Sequence, residues 1–166
     1  MKKVTSVFTV VLSLVVCYGK PVEAAGVQRS FASDAVANCQ PAMPTFEGNI
    51  RKRPMALANE GNTTVFITCG SEHHNAEGLA LEVYFVNRAG SPNAVVQCSL
   101  VIGFITRGLV LTKASEPIIV GSQGWIQWTV DDNLGFLLNS PTLSCALPPG
   151  VDIVGTVITF AEYVGE

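Results

Sequence analysis

His73 and His74 are the only histidines of the chain, and Glu72 and Glu77 flank them. Two imidazoles beside carboxylates form a donor set suited to zinc or copper. Adjacent residues on an extended strand point to opposite sides, so both rings reach one ion only from a turn. No His-Glu-x-x-His spacing is present to suggest a metallohydrolase, and a solvated loop accounts for the same charged, Asn-containing segment. Asp131, Asp132 and Asn133, with Asp152 further on, offer oxygens to calcium but lack the alternating ligands of an EF-hand; a hairpin turn explains them as well. A Ser-His-Asp constellation would need a serine, His73 or His74 and one of these aspartates to converge, and no Gly-x-Ser-x-Gly elbow is present. Glu82 and Glu162 are the conceivable pair for glycosidase chemistry, although outward carboxylates are ordinary on strands.

Aromatic residues suggest binding rather than catalysis. Trp125 and Trp128 are three apart, so on a strand one faces the core and the other the surface. An outward indole joined by Tyr84 or Tyr163 would stack on a sugar ring or anchor a protein partner.

These residues sit in a chain with the marks of export. Lys2 and Lys3 precede an apolar run from Val7 to Val16, and Val22-Glu23-Ala24 is a small-residue cleavage site. Residues 1–24 therefore read as a signal peptide, and 25–166 as one secreted or periplasmic domain. Val16 before Cys17 disfavours lipid attachment there, and the apolar run is too short to span a bilayer. Cleavage removes three lysines and one glutamate from a chain whose formal charge is −3, leaving a more acidic domain that repels nucleic acid. Arg51-Lys52-Arg53 is the only basic cluster and reads as a solvated loop. Asn62-Thr63-Thr64 matches an N-glycosylation acceptor.

Cys39, Cys69, Cys98 and Cys145 follow the leader, an even number that implies two disulfides in an oxidising compartment. Their spacing is too wide for a zinc knuckle. Of the three possible pairings, Cys39 with Cys69 and Cys98 with Cys145 is favoured.

The elements that must position these residues are strands. Val65, Ile67 and Cys69 share one face of a β-branched run; Leu79, Leu81, Val83 and Phe85 share another, opposite Glu82 and Tyr84. Val96, Cys98, Leu100, Ile102 and Phe104 form a third set. Shorter strands are expected over 109–112, 117–120, 125–130, 136–138 and 143–147, and a last one from Ile153 to about Tyr163. On the last strand Val154, Thr156, Ile158 and Phe160 oppose Ile153, Gly155, Val157 and Thr159; both faces are apolar, as in a central strand or a terminus locked between sheets. Residues 25–45 read as an irregular arm or short helical turn. About eight strands without a long helical period predict an all-β, antiparallel β-sandwich of immunoglobulin-like or jelly-roll kind.

The arrangement Asn38-Cys39-Gln40-Pro41, a strand ending in Cys69, Leu81-Glu82-Val83-Tyr84, Cys98-Ser99-Leu100 and Leu143-Ser144-Cys145-Ala146-Leu147-Pro148-Pro149-Gly150 resembles a group of small secreted bacterial four-cysteine β-sandwich proteins of unknown function. The group has no activity to lend, so the resemblance transfers no functional residue. The expectation is a monomeric, non-enzymatic binding or cell-envelope module without a cofactor, its partner a glycan or an extracellular protein. A small hydrolase and a self-assembling subunit that exposes its last strand as an edge are the alternatives.

Overall fold

A computed structural model describes residues 25–70, 77–88, 90, 92–102, 109–132 and 141–164. The expected leader, the segment 136–138, His73, His74 and Phe104 lie outside them. The chain begins with β1 (Ala25–Asp34), a single helical turn α1 (Ala35–Asn38) and β2 (Cys39–Pro41). A 3₁₀ turn over Pro44–Asn49 leads into β3 (Ile50–Arg53) and β4 (Ala56–Asn59). Then follow β5 (Val65–Gly70), β6 (Glu77–Asn87), β7 (Asn93–Ala94), β8 (Gln97–Ile102) and β9 (Leu109–Ala114). The series closes with β10 (Ile118–Ile119), β11 (Gln123–Thr129), β12 (Thr142–Leu147) and β13 (Val151–Val164).

All described pairings are antiparallel and form three sheets. The larger sheet runs β11-β6-β13-β4-β3, with β1 also on β13; the second runs β2-β5-β12-β8-β9; β7 and β10 make a small ribbon. The layout is sandwich-like, not closed into a barrel, and its thirteen described strands exceed the eight expected. Two differences account for much of the excess. Within the segment 25–45, expected as an arm or short helical turn, residues 25–34 form a ten-residue strand ahead of the helical turn 35–38, and Arg51-Lys52-Arg53 is strand rather than loop. Neither has a clean apolar alternation. Partner strands supply their hydrogen bonds: β13 for the first and β4 for the second.

The core fills the space between the two large sheets. Leu81, Val83 and Phe85 of β6, Ile126 and Trp128 of β11, and Ile153 of β13 belong to the same buried cluster as Val65 and Ile67 of β5, Leu100 of β8, and Leu143 and Leu147 of β12. Each strand alternates because its pleat turns successive side chains to opposite faces. On β13 that alternation breaks. A bulge between Ile153 and Gly155 moves Ile153, opposite Phe85, onto the same side as Thr156, opposite Val83. Strict period-two counting placed these two on different faces; the inserted residue corrects it. Gly155 is needed here because a Cβ would meet the Ser33 carbonyl oxygen at 2.5 Å. With β6 on one side, through Ala161, and β4 and β1 on the other, β13 is among the described residues a central strand rather than the free edge a self-assembling subunit needs.

Two buried asparagines close the end of the sandwich. Asn59 donates to Thr63 O at 2.9 Å and Leu147 O at 2.8 Å, and its Oδ1 accepts from the Gly61 amide. Asn87 donates to Ile118 O at 2.7 Å and accepts from the Gly90 amide, joining β6 to the ribbon segment.

The disulfides join Cys39 to Cys69 and Cys98 to Cys145. Each links residues directly opposite on neighbouring strands, and all four cysteines are buried in the second sheet. Neither bond ties one sheet to the other, so the layers are held by apolar contact across the core and by cross-layer hydrogen bonds such as Asn59 to Leu147 O. Loop-closure entropy for separations of 30 and 47 residues is worth about 4 kcal/mol per bond. The double variant Cys98→Ala/Cys145→Ala is expected to lose about that much in urea unfolding while keeping its strand circular dichroism. A loss below about 1 kcal/mol would remove the entropic account.

Candidate functional site

The pleat of β11 decides which tryptophan meets solvent. Trp128 is fully buried opposite Leu81 and so is withdrawn from the candidate binding residues; a side chain packed between sheets cannot touch a ligand. Trp125 is 60% exposed on the outer face of the larger sheet. Most indoles bury the bulk of their apolar surface, so this exposure is the unusual feature of the face.

Trp125 stands directly opposite Tyr84, and Gln127 directly opposite Glu82. Opposed residues of an antiparallel pair share a face at about 5 Å between Cβ atoms, so these four form one patch. The Tyr84 hydroxyl donates to Glu82 Oε2, and Gln127 Nε2 donates to Glu82 Oε1 at 2.7 Å. The hydrogen bond to the Glu82 carboxylate, then partial burial and the neighbouring negative charge, raise the Tyr84 pKa above the ordinary tyrosine value. Tyr84 therefore stays a neutral donor at physiological pH. Gly155 and Val157 continue the patch on β13, opposite Tyr84 and Glu82, and the Ser33 carbonyl occupies the place a side chain on Gly155 would take. Tyr163 lies on β13, twelve residues beyond Val151, far from this row.

Trp125 also walls a cleft of about 190 Å³, lined by Glu116, Pro117, Ile118, Gln123 and Gly124 besides the indole. Ile118 packs so closely over Gly124 that a Cβ there would meet its Cγ1 at 2.5 Å. The combination of an exposed indole, a phenol, a carboxylate and an amide provides an apolar plane with hydrogen-bonding groups beside it.

Among the described residues the remaining candidates do not converge. Asp131 is exposed. Asp132 accepts from Lys113 Nζ at 2.6 Å and from the Thr129 amide at 2.8 Å, capping the 3₁₀ turn Val130–Asp132 instead of presenting a cation loop. Among the described residues no group of three His, Cys, Asp or Glu side chains could hold a metal. Asp152 is held by Arg88, and Glu162 pairs with Arg29. Val157 stands opposite Glu82, and Glu162 lies five residues further along β13, about 17 Å by strand rise. A glycosidase places its carboxyl groups at most about 9.5 Å apart. Among the described residues no helix is long and apolar enough to cross a membrane.

No protein-family model matches the sequence, and no curated protein matches it. Among solved structures the chain is similar to the xylan-binding module CBM15, at 11% identity and TM-score 0.45, covering 83% of this chain and 100% of the module. A family 61 carbohydrate-binding module in complex with β-1,4-galactotriose gives 8% identity and TM-score 0.40, covering 81% and 88%. An exo-β-1,3-galactanase from Phanerochaete chrysosporium, with galactose, gives 12% identity and TM-score 0.44; 78% of this chain spans 29% of that one. At TM-scores below 0.5 these likenesses assign neither family nor ligand, which must rest on the residues of the chain itself.

Lys113, then the Thr129 amide, hold the Asp132 carboxyl below its ordinary pKa. Folding therefore favours the ionised form, and its stabilisation is present above the ordinary carboxylate value and lost as pH falls through the folded one. Asp132→Asn is expected to unfold more easily than the parent at pH 7, by up to about 1 kcal/mol. The difference should begin to shrink as pH falls below about 4 and disappear only under the lowered folded value; equal unfolding midpoints at pH 7 would show that the cap contributes nothing.

Proposed function

We propose that the protein is a non-catalytic, exported glycan-binding module whose ligand lies on the outer face of the larger sheet. The observation that carries this reading is Trp125, 60% exposed and directly opposite Tyr84. A pyranose ring has an apolar face of C–H groups and a rim of hydroxyls. The indole receives the face, releasing water from two apolar surfaces. Gln127, the Glu82 carboxylate and the Tyr84 hydroxyl stand where the rim needs donors and acceptors. These groups are already bonded to one another, so little side-chain entropy is lost when a sugar joins them.

The lysine start, apolar run and small-residue site of residues 1–24 support export, toward extracellular or envelope glycans. Two buried disulfides suit that compartment.

Affinity electrophoresis of the oxidised protein through gels cast with a panel of soluble plant, microbial and animal glycans tests the reading. Retardation by at least one polymer is expected, with affinity reduced more than about tenfold in Trp125→Ala, whose thermal midpoint should stay within a few degrees of the parent. Trp128→Ala, by contrast, is expected to cost about 3 to 5 kcal/mol of stability. Binding that survives Trp125→Ala unchanged would exclude the proposed face.

A further inference from the structure

The outer face carries a second chemical feature one row away from Trp125 and Tyr84. Gln123, Val86, Asp152, Ala58 and Arg51 oppose one another in turn across β11, β6, β13, β4 and β3. Arg53 and Arg88, each two residues from a member of this row, share its outward parity. Arg88 forks onto Asp152 at 3.0 and 3.1 Å. Glu60 pairs with Arg53 and lies 3.8 Å from Arg51 and 3.9 Å from Arg88.

Three guanidinium groups against two carboxylates leave one positive charge in excess. Arg51, whose side chain is 69% exposed and whose contact with Glu60 is long, is the group most available to a ligand. Arg53 and Arg88 also border an open cleft of about 360 Å³. This is a local excess of one positive charge on a chain whose formal charge is −3, confined to the arginine end of the face, since Glu82 and Glu116 stand beside Trp125. Between it and the indole lie Gly155, whose outer side meets the Ser33 carbonyl, and the buried Ala58 and Asp152, so none of those three positions raises a long side chain above the sheet. Four strand spacings separate β11 from β3, about 19 Å, the reach of a short oligosaccharide.

We infer that the ligand is an anionic polysaccharide bearing carboxylates, which runs across the strands with one sugar on Trp125 and its acid groups received by Arg51 and the neighbouring arginines. The inference rests on the stacking role proposed for Trp125. The guanidinium fork matches a carboxylate in two parallel hydrogen bonds, as Arg88 already does with Asp152.

The test is calorimetric titration of the oxidised protein with polygalacturonate, with the same polymer after carboxyl reduction to the neutral galactan, and with polyglutamate. Polygalacturonate is expected to bind roughly fivefold or more tightly than its reduced form, and the advantage should shrink as salt rises. Arg51→Gln, at an exposed position, should remove that advantage without altering the affinity for the neutral polymer or the thermal midpoint. Trp125→Ala should weaken both sugars, and polyglutamate should not bind. Equal affinity for the two sugar polymers, unchanged in Arg51→Gln, would overturn the acidic ligand and leave the stacking face intact. Binding of polyglutamate as tight as that of polygalacturonate, or indifference to Trp125→Ala, would overturn both readings in favour of charge alone. Failure of polygalacturonate to bind while a neutral glycan of the wider panel does would overturn only the acidic ligand.

Discussion

Pairing along both sides of β13 is the constraint on which the larger sheet depends. Its hydrogen bonds reach β6 on one flank, and β4 and β1 in succession on the other. Without β13, β11 and β6 would be a two-stranded pair separated from β3 and β4, and β1 would have no described partner. A central strand must satisfy backbone groups on two sides and side chains on two faces at once. The bulge at Ile153 to Gly155 reconciles these demands, keeping Ile153 in the core beside the Val65 and Leu147 layer while Gly155 admits the Ser33 carbonyl.

The outer face inherits its chemistry from the same pleat. Burial of Trp128 opposite Leu81 obliges Trp125, at odd spacing, to point away from the core, and the register of β11 with β6 sets Tyr84 beside it. The inward set is under pressure to pack; the outward set is free to be shaped by ligand. An exposed indole gains nothing from folding, whereas Glu82 is held by two outward neighbours that keep its oxygens in place. Along the neighbouring row the same parity gathers Arg51 and Arg88 around Asp152 and Glu60.

Division of labour between covalent and apolar forces follows from where the cysteines stand. Both disulfides lie within the second sheet, so they shorten the unfolded chain and fix register between β2 and β5 and between β8 and β12. The contact between sheets is left to Trp128, Phe85, Leu57 and their partners across the core, with Asn59 bonded across to Leu147 O. The proposed ligand face belongs to the sheet without disulfides, where Asn59 and Asn87 lock the strand ends instead.

Much of the strand framework was legible because alternation is a local property. Val65, Ile67 and Cys69 are buried on one face of β5, and Leu81, Val83 and Phe85 on one face of β6, as their period of two implies. The antithesis of Trp125 and Trp128 was legible for the same reason. Strand β1 was not, since its side chains are mostly exposed and only pairing with β13 makes it a strand. Nor could spacing reveal that Arg51 and Arg88, 37 positions apart, share Glu60, or that Tyr84 meets Trp125. The sequence by itself determined the all-β class and the faces of most individual strands, because each depends on neighbouring residues. Tertiary structure alone decided the bulge, the register and the joining of aromatic and arginine rows on one face, because each depends on which strand lies beside which.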